Sequence, residues 1–314
     1  HLAWAWGFER FPVDNPMYKL IMYLNKYEPE ILDDESIHFL FKNLKTHFKK
    51  LFYTVTYISK IQKDSDFIKN YDQTSVVSIS SVEYCYYKIS TIFDIAYQIA
   101  DKLIFPGKKE GNRYEFLERQ FEVYSNKLIA LQLDWYKILN KIRNRIVHGG
   151  ITVNPFYVNN ENVKNRICFQ AYNSNLDDLI NPHHMYSNQY NNNINFADNY
   201  FVFHTHLLYS YLTDFFEFVL AEFSKDKIHD VKNLSLGDMP YEFFERDQKT
   251  WLLSEVDTFA EITKKMIALQ LADGDLHHIN QVKSEDIENF FHNFPFTMMT
   301  RISQGDWVLA ENES

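Results

Sequence analysis

One short stretch concentrates groups able to do chemistry: Lys141-Ile142-Arg143-Asn144-Arg145-Ile146-Val147-His148-Gly149-Gly150. An unperturbed imidazole titrates at about pH 6.5, so His148 can take or give a proton at neutral pH. A guanidinium such as that of Arg143 grips a phosphate with two parallel N–H groups and stabilises charge developing on it. The amide of Asn144, directly beside it, can orient either group. Together these are the parts for cleaving a phosphodiester without a metal. A 2′-hydroxyl is activated, attacks its own phosphorus and leaves a cyclic phosphate. That reaction is confined to RNA, because DNA has no 2′-hydroxyl.

Such a stretch must sit on a helix. At about 100° per residue, Ile138, Ile142 and Ile146 continue an apolar stripe. Arg143, Asn144 and His148 are expected on the outer face, the last two one turn apart. The competing reading is a surface helix end, where His148 and the arginines merely complement the helix dipole. Asp94, on the preceding helix, either faces the motif across the bundle or bonds locally to Lys88 or Tyr97.

The flanking sequence predicts the elements that hold this helix. Phe121, Tyr124, Leu128, Leu131, Trp135, Ile138 and Ile142 form one apolar stripe, predicting a long helix over about residues 114–147, ended by Gly149-Gly150. Cys85, Ile89, Ile92, Ala96, Ile99 and Leu103 alternate steps of four and three, predicting a helix over about residues 78–104 that Phe105-Pro106-Gly107 stops. The short polar loop between them makes the two helices antiparallel neighbours. Asp33-Asp34-Glu35-Ser36 marks another helix start, followed by Phe39, Leu40, Leu44, Phe48, Leu51, Phe52 and Val55 on one face. Lys42, Lys45, Lys49 and Lys50 read as its solvated side. A fourth helix is expected over about residues 201–224, with Leu208, Tyr211, Leu212, Phe215, Val219 and Phe223 inward. Residues 234–246 read as irregular, and further helices are expected over about 251–271 and 284–291.

Residues 154–199 hold 14 Asn and read as a long insertion. Ile151-Thr152-Val153 and Arg166-Ile167-Cys168-Phe169 are short β-like runs able to form a hairpin there. The fold class expected is all-α: a helical bundle with additional N- and C-terminal helices. The division expected is residues 1–69, a bundle over 70–225 containing the insertion at 151–199, and an extension over 226–314.

Composition narrows the function classes. The 314 residues are 17% aromatic and 46% hydrophobic, which excludes a disordered chain. Two cysteines, Cys85 and Cys168, exclude a disulfide scaffold and a Cys-rich zinc module, and suit a cytoplasmic, reducing home. No run of apolar residues is long enough to span a membrane. The net charge of -10 argues against a general nucleic-acid coat. The charge is uneven, however. Residues 102–168 carry 12 Lys+Arg against 6 Asp+Glu, while the remainder carries 20 against 36. A local basic segment in an acidic protein suits one focused anionic ligand; ordinary scatter over solvated faces is the other reading.

Arg143-Asn144 followed by His148, at the end of a long helix in a helical bundle, resembles the signature of the HEPN superfamily. Its motif is Arg, four to six residues, then His, often with a polar residue after the Arg. The preceding Tyr86-Tyr87-Lys88-Ile89-Ser90-Thr91-Ile92-Phe93-Asp94 is similar to uncharacterised bacterial branches. The resemblance covers about residues 70–225, roughly half the chain. It implies a helical bundle that forms a two-fold dimer, with the two Arg/His sets meeting in one composite ribonuclease site. Under it, His148 is the acid/base, Arg143 the phosphate stabiliser and Asn144 the orienting group, with Lys141 and Arg145 on the RNA backbone and Asp94 in support. It implies no cofactor and no metal. The partners implied are RNA and a second copy, with an antitoxin or regulatory protein in a toxin–antitoxin or antiviral defence setting. The alternative implied by the same family is a catalytically silent module that binds RNA, a nucleotide or a protein.

Other signals are weaker. His204 with His206, the pair His183-His184 and the pair His277-His278 lack acidic or Cys partners at ligand spacing. Tyr84, Tyr86 and Tyr87 suit base stacking or, more simply, bundle packing. Cys85 lies on the apolar stripe and reads as inert core.

Overall fold

A computed structural model of the chain describes residues 15–105, 113–125, 134–149, 154–158, 166–170, 185–187, 194–229, 231–240 and 243. The expected helices at 251–271 and 284–291, and the β-like run Ile151-Thr152-Val153, lie outside the described residues.

The described part is mostly helical. Helix α1 (Pro16–Tyr27) begins where Asn15 accepts hydrogen bonds from the backbone N–H of Met17 and Tyr18 at 3.0 and 3.4 Å, with proline at the first helical position. A single turn, α2 (Pro29–Leu32), leads to α3 (Glu35–Ile61). The acidic start expected there is an N-cap: the Asp34 carboxylate accepts from the N–H of Ser36 and Ile37. The short α4 (Ser65–Lys69), capped by Asp64, turns the chain into α5 (Tyr71–Ile104). At 34 residues α5 is the spine of the molecule, and it begins a full two turns before the expected residue 78.

Where one long third helix was expected, the described residues give two: α6 (Arg113–Ser125) and α7 (Asp134–Gly149). Four short strands follow: β1 (Asn154–Val158), β2 (Arg166–Gln170), β3 (Met185–Ser187) and β4 (Ile194–Phe196). They form an antiparallel sheet in the order β1-β2-β4-β3. Helix α8 (Ala197–Ser224) leaves the sheet directly from β4, and two single 3-10 turns, Val231–Asn233 and Leu236–Asp238, come after it.

Helix α5 packs against α3, α7, α8 and β1. All six residues of its expected stripe, Cys85 through Leu103, are buried. One apolar cluster runs from Met17 to Phe243 and takes in α1, α3, α5 and α8 together. Tyrosines enter this core by sharing their hydroxyls: Tyr86 donates to Tyr200 at 3.2 Å, and Tyr97 pairs with Tyr211. Two expectations for α3 are corrected. Phe39 is half exposed, because the packed stripe runs instead through Ile37, Phe41 and Leu44. Lys45 is buried rather than solvated, and its Nζ donates to the Phe243 carbonyl oxygen at 3.0 Å. A long side chain can lie along apolar surface while its ammonium finds an acceptor.

The sheet is pinned by one polar network. Gln62 donates to Asp198 at 2.7 Å and accepts from the N–H of Ile167 at 3.0 Å. Arg166 donates to the carboxylate of Asp198 and, at 3.0 Å, to Asn199. Gln62 and Asp198 are both buried, so each polar atom needs these partners.

Candidate functional site

Helix α7 is amphipathic, and its inner face sets the geometry of the motif. Leu139 and Ile142 are buried and Ile146 packs at the edge of the core. The seam between α7 and α5 is only partly apolar. On α5, Glu83, Tyr87, Ser90 and Asp94 recur in steps of four, three and four; on α7, Tyr136, Asn140 and Arg143 do the same. Positions at this spacing share one helix face. Ser90 donates to Asn140 Oδ1 at 3.4 Å, and the Tyr136 hydroxyl bonds the Ser90 side chain while its ring stacks on Phe93 at 3.6 Å.

Arg143 stands at the open end of this seam. It is half buried, its Nη1 donates to Asn144 Oδ1 at 2.7 Å, and its Nε is enclosed with no acceptor among the described residues. Its charge reaches three groups on the two helices, lowering the pKa of Tyr87, Asp94 and Tyr136. In each case burial opposes it and dominates. The Asp94 carboxyl is therefore held above its ordinary range: its side chain meets water at the rim, while surrounding protein removes part of its hydration. Asp94 thus shares an electrostatic environment with Arg143.

Asn144, Arg145, Lys141 and His148 are exposed, and His148 lies in the last turn of α7. The motif is accordingly split. Arg143 turns inward to the seam, whereas Asn144 and His148 share the open side. Five residues at 100° each place Arg143 and His148 about 140° apart around the helix. The α5–α7 seam was not read from the sequence, although polar residues at apolar periodicity on both helices carried its signal.

The other candidates resolve individually. His204 is on helix α8, buried, with Nδ1 2.7 Å from the Tyr200 carbonyl oxygen. His204 and His206 both belong to helix α8. His183, His184, His277 and His278 lie outside the described residues. Tyr86 is core, while Tyr84 and Tyr87 are half buried. Cys85 is fully buried, which pushes its thiol well above the ordinary range. No helix among the described residues is long and apolar enough to cross a membrane.

No protein-family model matches the chain, and no curated protein and no solved structure matches it.

Proposed function

We propose that the chain is a metal-independent endoribonuclease of HEPN type. The observation that carries this reading is the Arg143–Asn144 hydrogen bond at the mouth of the α5–α7 seam, with His148 open on the same helix. In this reading His148 is the acid/base, Arg143 stabilises charge on the phosphorus oxygens, and Asn144 fixes the guanidinium fork. Asp94 is a positioning residue for Arg143, and Lys141 and Arg145 contact the RNA backbone. The roughly 140° between Arg143 and His148 favours a site completed by a second copy, so the working form is a homodimer. The bundle is HEPN-like, with added helices at both ends and an Asn-rich insertion carrying the hairpin. The reaction uses no cofactor. The setting proposed is cytoplasmic antiviral defence or a toxin–antitoxin system, with an antitoxin or regulatory protein as restraint.

A second reading, a catalytically silent HEPN-type module, draws on the half-buried state of Arg143 and its bond to its own neighbour. Incubating the purified chain with a labelled RNA pool in EDTA, beside His148→Ala, separates the two. Cleavage by the parent alone, leaving cyclic-phosphate ends, supports the enzyme. Binding without cleavage by either supports the silent module, and equal cleavage by both removes His148 from the chemistry.

A further inference from the structure

A second site lies on the opposite flank of α5. Helices α3 and α5 run antiparallel there and leave a cavity of about 540 Å³ between them. Tyr53, Thr54, Tyr57 and Lys60 line it from α3, and Ser81 and Tyr84 from α5. The cavity is open: Tyr57 is 47% exposed at its wall. Beside Val76 and Val77, the lining presents three aromatic rings and the hydroxyls of Thr54, Ser80 and Ser81, polar groups that aliphatic packing would otherwise replace.

The cavity continues into a cluster of bases. Tyr84 carries the Lys88 ammonium over its ring at 4.7 Å, and Lys88 Nζ lies 3.0 Å from His47 Nδ1 on α3. Lys50, one turn along, is joined to the cavity wall through Thr54, whose hydroxyl donates to the Lys50 carbonyl oxygen at 2.9 Å. Burial, then Lys88 and Lys50, hold the His47 imidazole below its ordinary range, and burial, then Lys50, lower the Lys88 ammonium. The charges acting on both are positive, and Lys50 makes no ion pair among the described residues. A protein of net charge -10 has acids to spare, yet among the described residues no acid contributes to the shifts of His47 and Lys88. An anion placed there relieves the repulsion.

We infer that this groove binds single-stranded RNA, with bases against the Tyr53, Tyr57 and Tyr84 rings and phosphates on Lys50, Lys88 and His47. Rings give stacking without sequence preference, and the flanking cations track the backbone. Duplex RNA keeps its bases stacked on each other and cannot use the rings. The groove shares α5 with the candidate site, since Lys88 and Asp94 are about 9 Å apart along the helix axis. The inference rests on the ribonuclease reading for its choice of RNA and adds a substrate-holding surface outside the reacting groups.

The test uses the full chain carrying His148→Ala, so that RNA is not consumed, and an unstructured fluorescent strand of roughly 12 nucleotides. Anisotropy gives affinity from about 50 to about 200 mM salt. Lys50→Gln with Lys88→Gln should weaken binding about tenfold and flatten the salt dependence by about 1.4 in logarithmic slope, the value for two phosphates on a single strand. Tyr57→Ala should weaken binding severalfold with the slope unchanged. Lys50 and Tyr57 are exposed and Lys88 is half buried, and unaltered thermal melts establish that the variants fold. Affinity equal to the parent's in both variants, or no binding by the parent, overturns the groove. His148-dependent cleavage persisting in that case leaves the ribonuclease reading standing. Groove-dependent binding with no cleavage by the unsubstituted chain retains the groove and removes the ribonuclease.

Discussion

Arg143 is held by shape as much as by charge. Its Nη1 bonds Asn144 while Nε is enclosed without an acceptor among the described residues, so the planar fork is bonded at one end and confined at the other. Lysine in its place keeps a positive charge but offers no second donor in that plane. If the guanidinium stabilises charge in the transition state, Arg143→Lys should lower the cleavage rate by about 10²-fold while leaving RNA affinity within a few-fold. Asn144→Ala should fall between that variant and the parent, because the fork is then unguided but present. A Lys variant that cleaves at the parental rate would assign Arg143 to packing of the seam. Asp94→Asn tests the positioning role separately. Its loss should appear as a displaced pH–rate profile, since a carboxyl held above its ordinary range by desolvation no longer titrates beside Arg143.

Elements were legible in the sequence wherever apolar residues kept the helical period. The stripe of α5 is buried as read, and so is that of α8 except for Phe223 at the edge of the core, because steps of three and four leave only one face for the core. The acidic start of α3 was readable for the same local reason, a side chain capping N–H groups two and three residues ahead. The site was half legible. Arg143, Asn144 and His148 stand out by type and spacing, but Arg143 turns inward toward Tyr87 and Asp94, which come from another helix. Lys45 left its expected solvated surroundings for a similar reason: a long-range contact, here with Phe243, overrides a local pattern. The sheet was the least readable element, because its anchor is polar and non-local. Asp198 accepts from Gln62, 136 positions earlier, and from Arg166 on β2. Asp198→Ala strands the buried Gln62 amide and leaves the half-buried Arg166 with Asn199 alone, and should cost about 1–3 kcal/mol in urea unfolding. Asp198→Asn, which keeps one acceptor, should cost less. Equal stability of Asp198→Ala and the parent would mean that β2 is held by its apolar face alone.

At the scale of the whole molecule, acids that neighbouring protein partly desolvates govern how stability responds to pH. Asp214, on α8 beside Glu217 and Tyr124, has its pKa raised from 3.8 to about 7, by burial first and by the charge of Glu217 second. Glu217, Glu118 and Asp94 are shifted upward too, each mainly by burial. Between the unfolded and folded pKa values the folded chain holds more protons than the unfolded chain, so stability must fall as pH rises. For Asp214 that loss begins near the unfolded value of 3.8 and is complete above about 7. His47, lowered by burial and two lysines, acts in the opposite sense just below its ordinary range. The Asp34 and Asp238 carboxylates, lowered by hydrogen bonds, also act oppositely, but both are accessible and count for little. Replacing the titrating carboxyl with an amide of the same shape isolates the largest contribution. Asp214→Asn should match the parent in urea at about pH 4 and exceed it by roughly 2–4 kcal/mol at about pH 8. The parental midpoint should therefore drop across that interval, while the variant's changes much less. A constant difference between the two proteins at every pH would show that Asp214 titrates alike in the folded and unfolded chain, so that burial does not hold its carboxyl protonated.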